Sequence, residues 1–183
     1  SNMADPETAQ PVFNEVVRAQ SMALGEDHLE TLQTKRMQAI AMKKAGNHSG
    51  AQELLEEVIA GLADQLGPTH LTAVESRCDL ASSLRATGQE HKARGLYEES
   101  IEAQTAELGP KHATTLTTRV NLASLLDQMN ERESARAMYE DIVQAQAETL
   151  GADHPETLDT MYNLADLLES RRFKEFSRAR ELF

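Results

Sequence analysis

The chain has 183 residues, 40% of them hydrophobic but only 4% aromatic and none Trp, with a formal net charge of −12. That acidity argues against a nucleic-acid partner, because phosphate binding needs a surplus of Lys and Arg on at least one face. No apolar run approaches the ~20 residues that span a bilayer, and the N-terminus lacks the charged and apolar regions of a signal peptide. The single cysteine, Cys78, excludes an internal disulfide and fits a reducing, cytoplasmic setting. With so few aromatics the core must be Leu, Ala, Met, Ile and Val. Nine Gly and five Pro are too few for a chain of tight β-turns, so the composition is that of an all-helical protein.

In chain order, Ser1-Asn2 before Met3 reads as the scar of a cleaved expression tag, and residues 1–8 carry no periodic pattern and read as a loose tail. From residue 9 to 24, Val12, Phe13, Val16, Val17 and Leu24 fall at helical spacing and predict one helix, read as the lone second helix (helix B) of a repeat whose first helix is missing. Its end, Leu24-Gly25 with His28, recurs at Leu66-Gly67 with His70, Leu108-Gly109 with His112, and Leu150-Gly151 with His154, each 42 residues after the last. A constant spacing through four copies marks an array of repeats, each covering the apolar face of its neighbour. The repeats are 25–66, 67–108 and 109–150, with a partial repeat over 151–183.

Each repeat predicts a first helix A and a second helix B. In the first, helix A runs from about Glu30 to Ala45, Gly46-Asn47 is the turn, and helix B runs from Ser49 to Gln65; Gly67-Pro68 then ends the unit. The second has Val74 to Ala86, the turn Thr87-Gly88, and Lys92 to Glu107. The third has Leu116 to Gln128 and Ser134 to Thr149. The fourth opens at His154-Pro155, with Pro at the first helical position. There Ala179 and Phe183 match Ala135 and Tyr139 only if two residues are inserted within Arg171 to Ser177, which predicts an irregular turn into a shortened helix B. The basic and aromatic residues Arg171, Arg172, Phe173, Lys174, Phe176, Arg178 and Arg180 fall in that turn.

The motif of each unit is L-A-x-x-L, a turn, then A-x-x-x-[Y/F]. It stands as Leu80-Ala81 with Leu84, then Ala93 and Tyr97; as Leu122-Ala123 with Leu126, then Ala135 and Tyr139; and as Leu164-Ala165 with Leu168, then Ala179 and Phe183. This resembles the tetratricopeptide repeat (TPR), whose familiar unit of roughly 34 residues is about eight shorter. The longer form, with N-L-A and L-G-x-x-H-P, is similar to the repeats of kinesin light chains. The resemblance implies a right-handed α-solenoid of antiparallel helix hairpins, a TPR-like superhelix.

Four regularly spaced histidines invite a metal reading, but ligands must gather within about 2 Å of one ion, and successive repeats stand roughly 20 Å apart, two helix diameters. They are expected to cap or pack the joints. No nucleophile triad, phosphate loop, C-x-x-C or H-E-x-x-H is present, so no enzyme activity and no cofactor are expected. Cys78 on helix A has no adjacent base.

The informative residues are those that helix A turns to the concave face. In register these are Arg36 and Lys43 in the first repeat, Asp79 and Arg85 in the second, Asn121 and Asp127 in the third, and Asn163 and Asp166 in the fourth. The first two repeats add Lys44 and the last adds Asp159 and Glu169, a gradient able to orient an extended peptide with its acidic residues toward the first repeats. By resemblance, Asn121 and Asn163 bond a peptide backbone, as amides both donate and accept. The expected function is a non-catalytic scaffold for a protein or peptide ligand. Two alternatives are a regulatory array of a larger enzyme or ATPase, and self-association through the incomplete terminal repeats.

Overall fold

The structure, a computed structural model, describes residues 6–181, with side chains for residues 10–169. Eight helices and no strand occur among the described residues: α1 (Pro6–Leu24), α2 (Leu29–Lys44), α3 (His48–Leu66), α4 (Leu71–Ala86), α5 (Glu90–Leu108), α6 (Ala113–Gln128), α7 (Arg132–Thr149) and α8 (Pro155–Glu181). The first helix starts at Pro6, inside the segment read as a tail; proline's fixed φ and missing N–H suit an opening helical position.

The Leu-Gly-x-x-His joint explains where helices stop and start. Gly25, Gly67, Gly109 and Gly151 all adopt positive φ, between 90° and 107°, which a side chain would strain. Three residues on, the histidine is extended, and its Nδ1 accepts the amide of Glu30, Thr72, Thr114 or Glu156, in each case at 3.3 Å. The histidines are therefore helix N-caps, each taking up one of the donors that a helix start leaves unpaired. The hydroxyls of Thr31, Thr115 and Thr157 donate back to the carbonyls of Gly25, Gly109 and Gly151 at 2.9–3.0 Å. Capping by His rather than Ser or Asp is why α4 and α6 begin three residues before the apolar periodicity does.

The chain forms two compact units, residues 1–103 and 104–183. In unit 1, α1 packs on α2, α2 on α3 and α3 on α4, and helix A of one repeat touches helix A of the next, α2 against α4. Leu32, Val58, Leu62 and Ala73 form its buried cluster, with Leu29 against it. In unit 2, α6 packs on α7 and α7 on α8, and α6 touches α8. Leu116, Ile142 and Ala145 form the corresponding cluster, flanked by Val120 and Met138. Each buried Leu or Ile contributes about 2 kcal/mol.

The fourth repeat departs from expectation. Instead of turning between Arg171 and Ser177, α8 runs unbroken to Glu181. The hairpin turns of the complete repeats each use a residue at positive φ: Gly46 (82°), Gly88 (76°) and Asn130 (64°). No Gly, Asn or Pro stands between Ser170 and Glu181 to stop a helix. The side chains of the basic and aromatic cluster lie outside the described residues, as do residues 1–5.

Candidate peptide-binding site

The A helices carry the eight residues singled out from the sequence, and their surroundings differ between the units. On α2, Arg36 reaches α4, where its Nε donates to Asp79 Oδ2 at 3.0 Å and its Nη1 to Glu75 Oε2 at 2.7 Å. The Lys43 ammonium donates to the other Asp79 oxygen at 3.1 Å. All three groups are less than a quarter exposed, apart from the half-exposed Glu75. The two cations expected to receive an acidic peptide are thus already bonded to carboxylates of the next helix. Arg85 lies near Tyr97, whose hydroxyl is pushed far above its ordinary pKa by burial, an effect that the Arg85 charge opposes.

In unit 2, Asp127 pairs with Arg132 at 3.4 Å across the α6–α7 turn. Asn121 is half-buried on α6, and Asp166 is exposed on α8. Asn163 lines a cleft of about 250 Å³. From α6 the cleft receives Thr117 and Val120, from α7 Gln146, and from α8 Glu156, Asp159 and Thr160. Gln146 is 3% exposed, and its Oε1 is buried without a hydrogen-bond partner. An acceptor left so costs about 1–3 kcal/mol, which a donor entering the cleft recovers.

The hydroxyls around the cleft are committed. Thr117 donates to the Ala113 carbonyl and Thr160 to the Glu156 carbonyl, both at 2.9 Å. Their protons are therefore directed into the helices, leaving oxygen lone pairs for anything outside. Sequence reasoning found Asn163 and Asp159 but missed Gln146. The available signal was its register: Leu62 two repeats earlier and Gln104 one repeat earlier hold the same position, and both are buried. Among the described residues no group of three or more His, Cys, Asp or Glu is arranged to hold a metal. No described helix is long and apolar enough to cross a membrane.

Paired helices at a fixed sequence period, with helix A of one repeat touching helix A of the next inside each unit, define an α-helical repeat protein. Residues 72–148 match the family model described as tetratricopeptide repeat. Two crystal structures from Podosopora anserina, of a protein assigned as a kinesin light chain with nearly identical TPR-like repeats and of a point variant of it, are each 27% identical to the chain. They cover 95% of this chain and 82% of their own, with TM-scores of 0.79 and 0.80. BtubC (BKLC) from P. vanneervenii, at 18% identity and a TM-score of 0.75 over 92% of this chain and 67% of its own, has the same fold. No curated protein matches. Residues 72–148 thus carry the tetratricopeptide-repeat pattern, and the repeats of the chain resemble those of the kinesin light chain type. Its fold class is the TPR-like α-solenoid of helix hairpins, and arrays of that class are in general protein-interaction scaffolds.

Proposed function

We propose that the chain is a non-catalytic, cytoplasmic scaffold that holds a peptide or helix of a partner protein against its A helices. The observation that carries this reading is the α6–α7–α8 cleft, where Asn163 and the unpartnered Gln146 Oε1 offer hydrogen bonds that the fold does not use. Asn121, on the preceding helix A at the register of Asn163, extends the row that a peptide backbone would follow. In unit 1 the same register is held by Asp79 within its ion pairs, so the contribution of Arg36, Lys43 and Asp79 is to brace α2 against α4. Within unit 2, Asp127 and Asp166 complete the surface offered to a partner, and within unit 1 Arg85 adds to the surface of α4.

The test is an immobilised degenerate peptide library probed with the chain and with an Asn121→Ala, Asn163→Ala double variant. Pools retained by the first and lost by the second, at equal helicity by circular dichroism, support the scaffold reading; equal retention by both sinks it. A second reading is self-association, favoured by the exposed Val12, Met22 and Leu24 of α1 and the exposed Leu158, Met161 and Tyr162 of α8. A sedimentation profile that stays monomeric as concentration rises removes it.

A further inference from the structure

Every position around the unit 2 cleft has a counterpart two repeats earlier, on α2, α3 and α4. There Arg36 stands at the position of Val120, Glu75 at that of Asp159, Asp79 at that of Asn163 and Leu62 at that of Gln146. In unit 1 a guanidinium bridges the two A helices by donating to Glu75 and Asp79. In unit 2 valine takes the place of that arginine, and a cleft opens before Asp159 and Asn163. One unit of the molecule therefore displays the side chain that the other lacks.

We propose that the α6–α7–α8 cleft is a subsite for an arginine side chain of the bound partner, its guanidinium lying at Asp159 and Asn163 as Arg36 lies at Glu75 and Asp79. This rests on the scaffold reading above. The direction of the hydrogen bonds selects a donor-rich cation. Gln146 Oε1, the Asp159 carboxylate and the lone pairs of Thr117 and Thr160 are acceptors, and the exposed Glu156 carboxylate adds a second negative charge. Neither Glu156 nor Asp159 is ion-paired among the described residues, whereas every Lys and Arg described on α6 and α7, with Lys111 just before them, already is. Lys111 pairs with Glu148, Arg119 with Asp141, Arg132 with Asp127 and Arg136 with Glu140. An anionic ligand would find two carboxylates there and no cation lining the cleft. Val120, packed against the Leu116, Ile142 and Ala145 cluster, supplies an apolar floor for the methylene stem of an arginine. A guanidinium is preferred to an ammonium because its planar fork reaches two acceptors at once.

The experiment titrates the isotope-labelled full chain with N-acetyl-arginine-N-methylamide and, as a neutral probe of the same shape, N-acetyl-citrulline-N-methylamide, followed by NMR. Arginine should shift the side-chain amides of Gln146 and Asn163, and citrulline should bind about tenfold more weakly or worse, as expected for loss of a charge-assisted bond. Val120→Arg, which gives unit 2 a guanidinium of its own, should weaken the arginine probe about tenfold. Asp159→Asn, at an exposed position where folding is not at risk, should do the same. Equal shifts from both probes, or unaltered arginine affinity in Asp159→Asn, would overturn the proposal. The peptide library separates this result from the scaffold reading. Pools retained regardless of arginine leave the scaffold standing and sink the subsite, while capped arginine bound in the cleft with no pool retained keeps the subsite and sinks the scaffold.

Discussion

The helix triplets α2–α3–α4 and α6–α7–α8 are two answers to one architectural problem. In unit 1 the face between successive A helices is closed from within: Arg36 and Lys43 meet Glu75 and Asp79, and beneath them Leu62 completes a dry cluster with Leu32, Val58 and Ala73. In unit 2 the same positions hold Val120, Asp159, Asn163 and Gln146, and the face is a cleft with an unsatisfied amide oxygen at its floor. The contrast teaches that a repeat keeps its hairpin with a small set of residues and leaves the rest to be spent on closure or on recognition. Leu32 and Leu116 are buried in both units, as are Val58 and its counterpart Ile142.

The comparison is broken most severely by exchanging residues between the units. Leu62→Gln should cost about 3 kcal/mol, since it removes a fully buried leucine and buries an amide in its place. Gln146→Leu should be neutral or gain about 1 kcal/mol, by removing an unpaired acceptor. Urea denaturation followed by circular dichroism measures both. Equal losses would mean that Gln146 is as fully satisfied as Leu62 and that unit 2 has no open site.

Arg36→Val sharpens the comparison by making unit 1 resemble unit 2. With its side chains partly exposed and Lys43 still holding Asp79, the loss should be about 1 kcal/mol. The variant should also acquire affinity for the capped arginine, read as new NMR shifts on α4. His112→Ala tests what the units share. Removing one N-cap acceptor at 3.3 Å should cost about 0.5 kcal/mol and raise amide exchange in the first turn of α6.

The smallest effect lies at Lys111, which donates to Glu148. That hydrogen bond, then one from Gln144, then the Lys111 charge hold the Glu148 carboxyl below the usual carboxylate range. A depressed carboxylate pKa contributes stability above the ordinary range, lost as pH falls through the lowered value. Lys111→Met should move the Glu148 titration upward, toward that range, in an NMR pH series.

Much of this was legible in the chain. The joints could be placed to the residue because a left-handed backbone needs Gly, and the histidine three places on could be assigned to capping or packing the joint because repeat spacing keeps equivalent residues too far apart to share a metal. The helix starts at Leu71 and Ala113 were less legible, since their first turns lack the apolar stripe. The insertion inferred within Arg171 to Ser177 treated alignment as a turn, although no residue there has the backbone freedom to make one. At the site, Asn163 followed from its motif, whereas Gln146 did not, because a glutamine carries no apolar signal of burial even where it recurs in register, as at Gln20 and Gln104.

The sequence by itself determined that this protein is an array of helix hairpins, because periodicity, glycine joints and caps act over a few residues and repeat without a slip. Only the tertiary structure decided which charges are used up. Whether Arg36 faces a partner or Asp79, and whether Gln146 meets a core or a cleft, depends on side chains some forty residues apart in sequence being brought within hydrogen-bond distance. Electrostatic and hydrogen-bond energies change over a few ångströms, a scale that spacing along the chain does not specify.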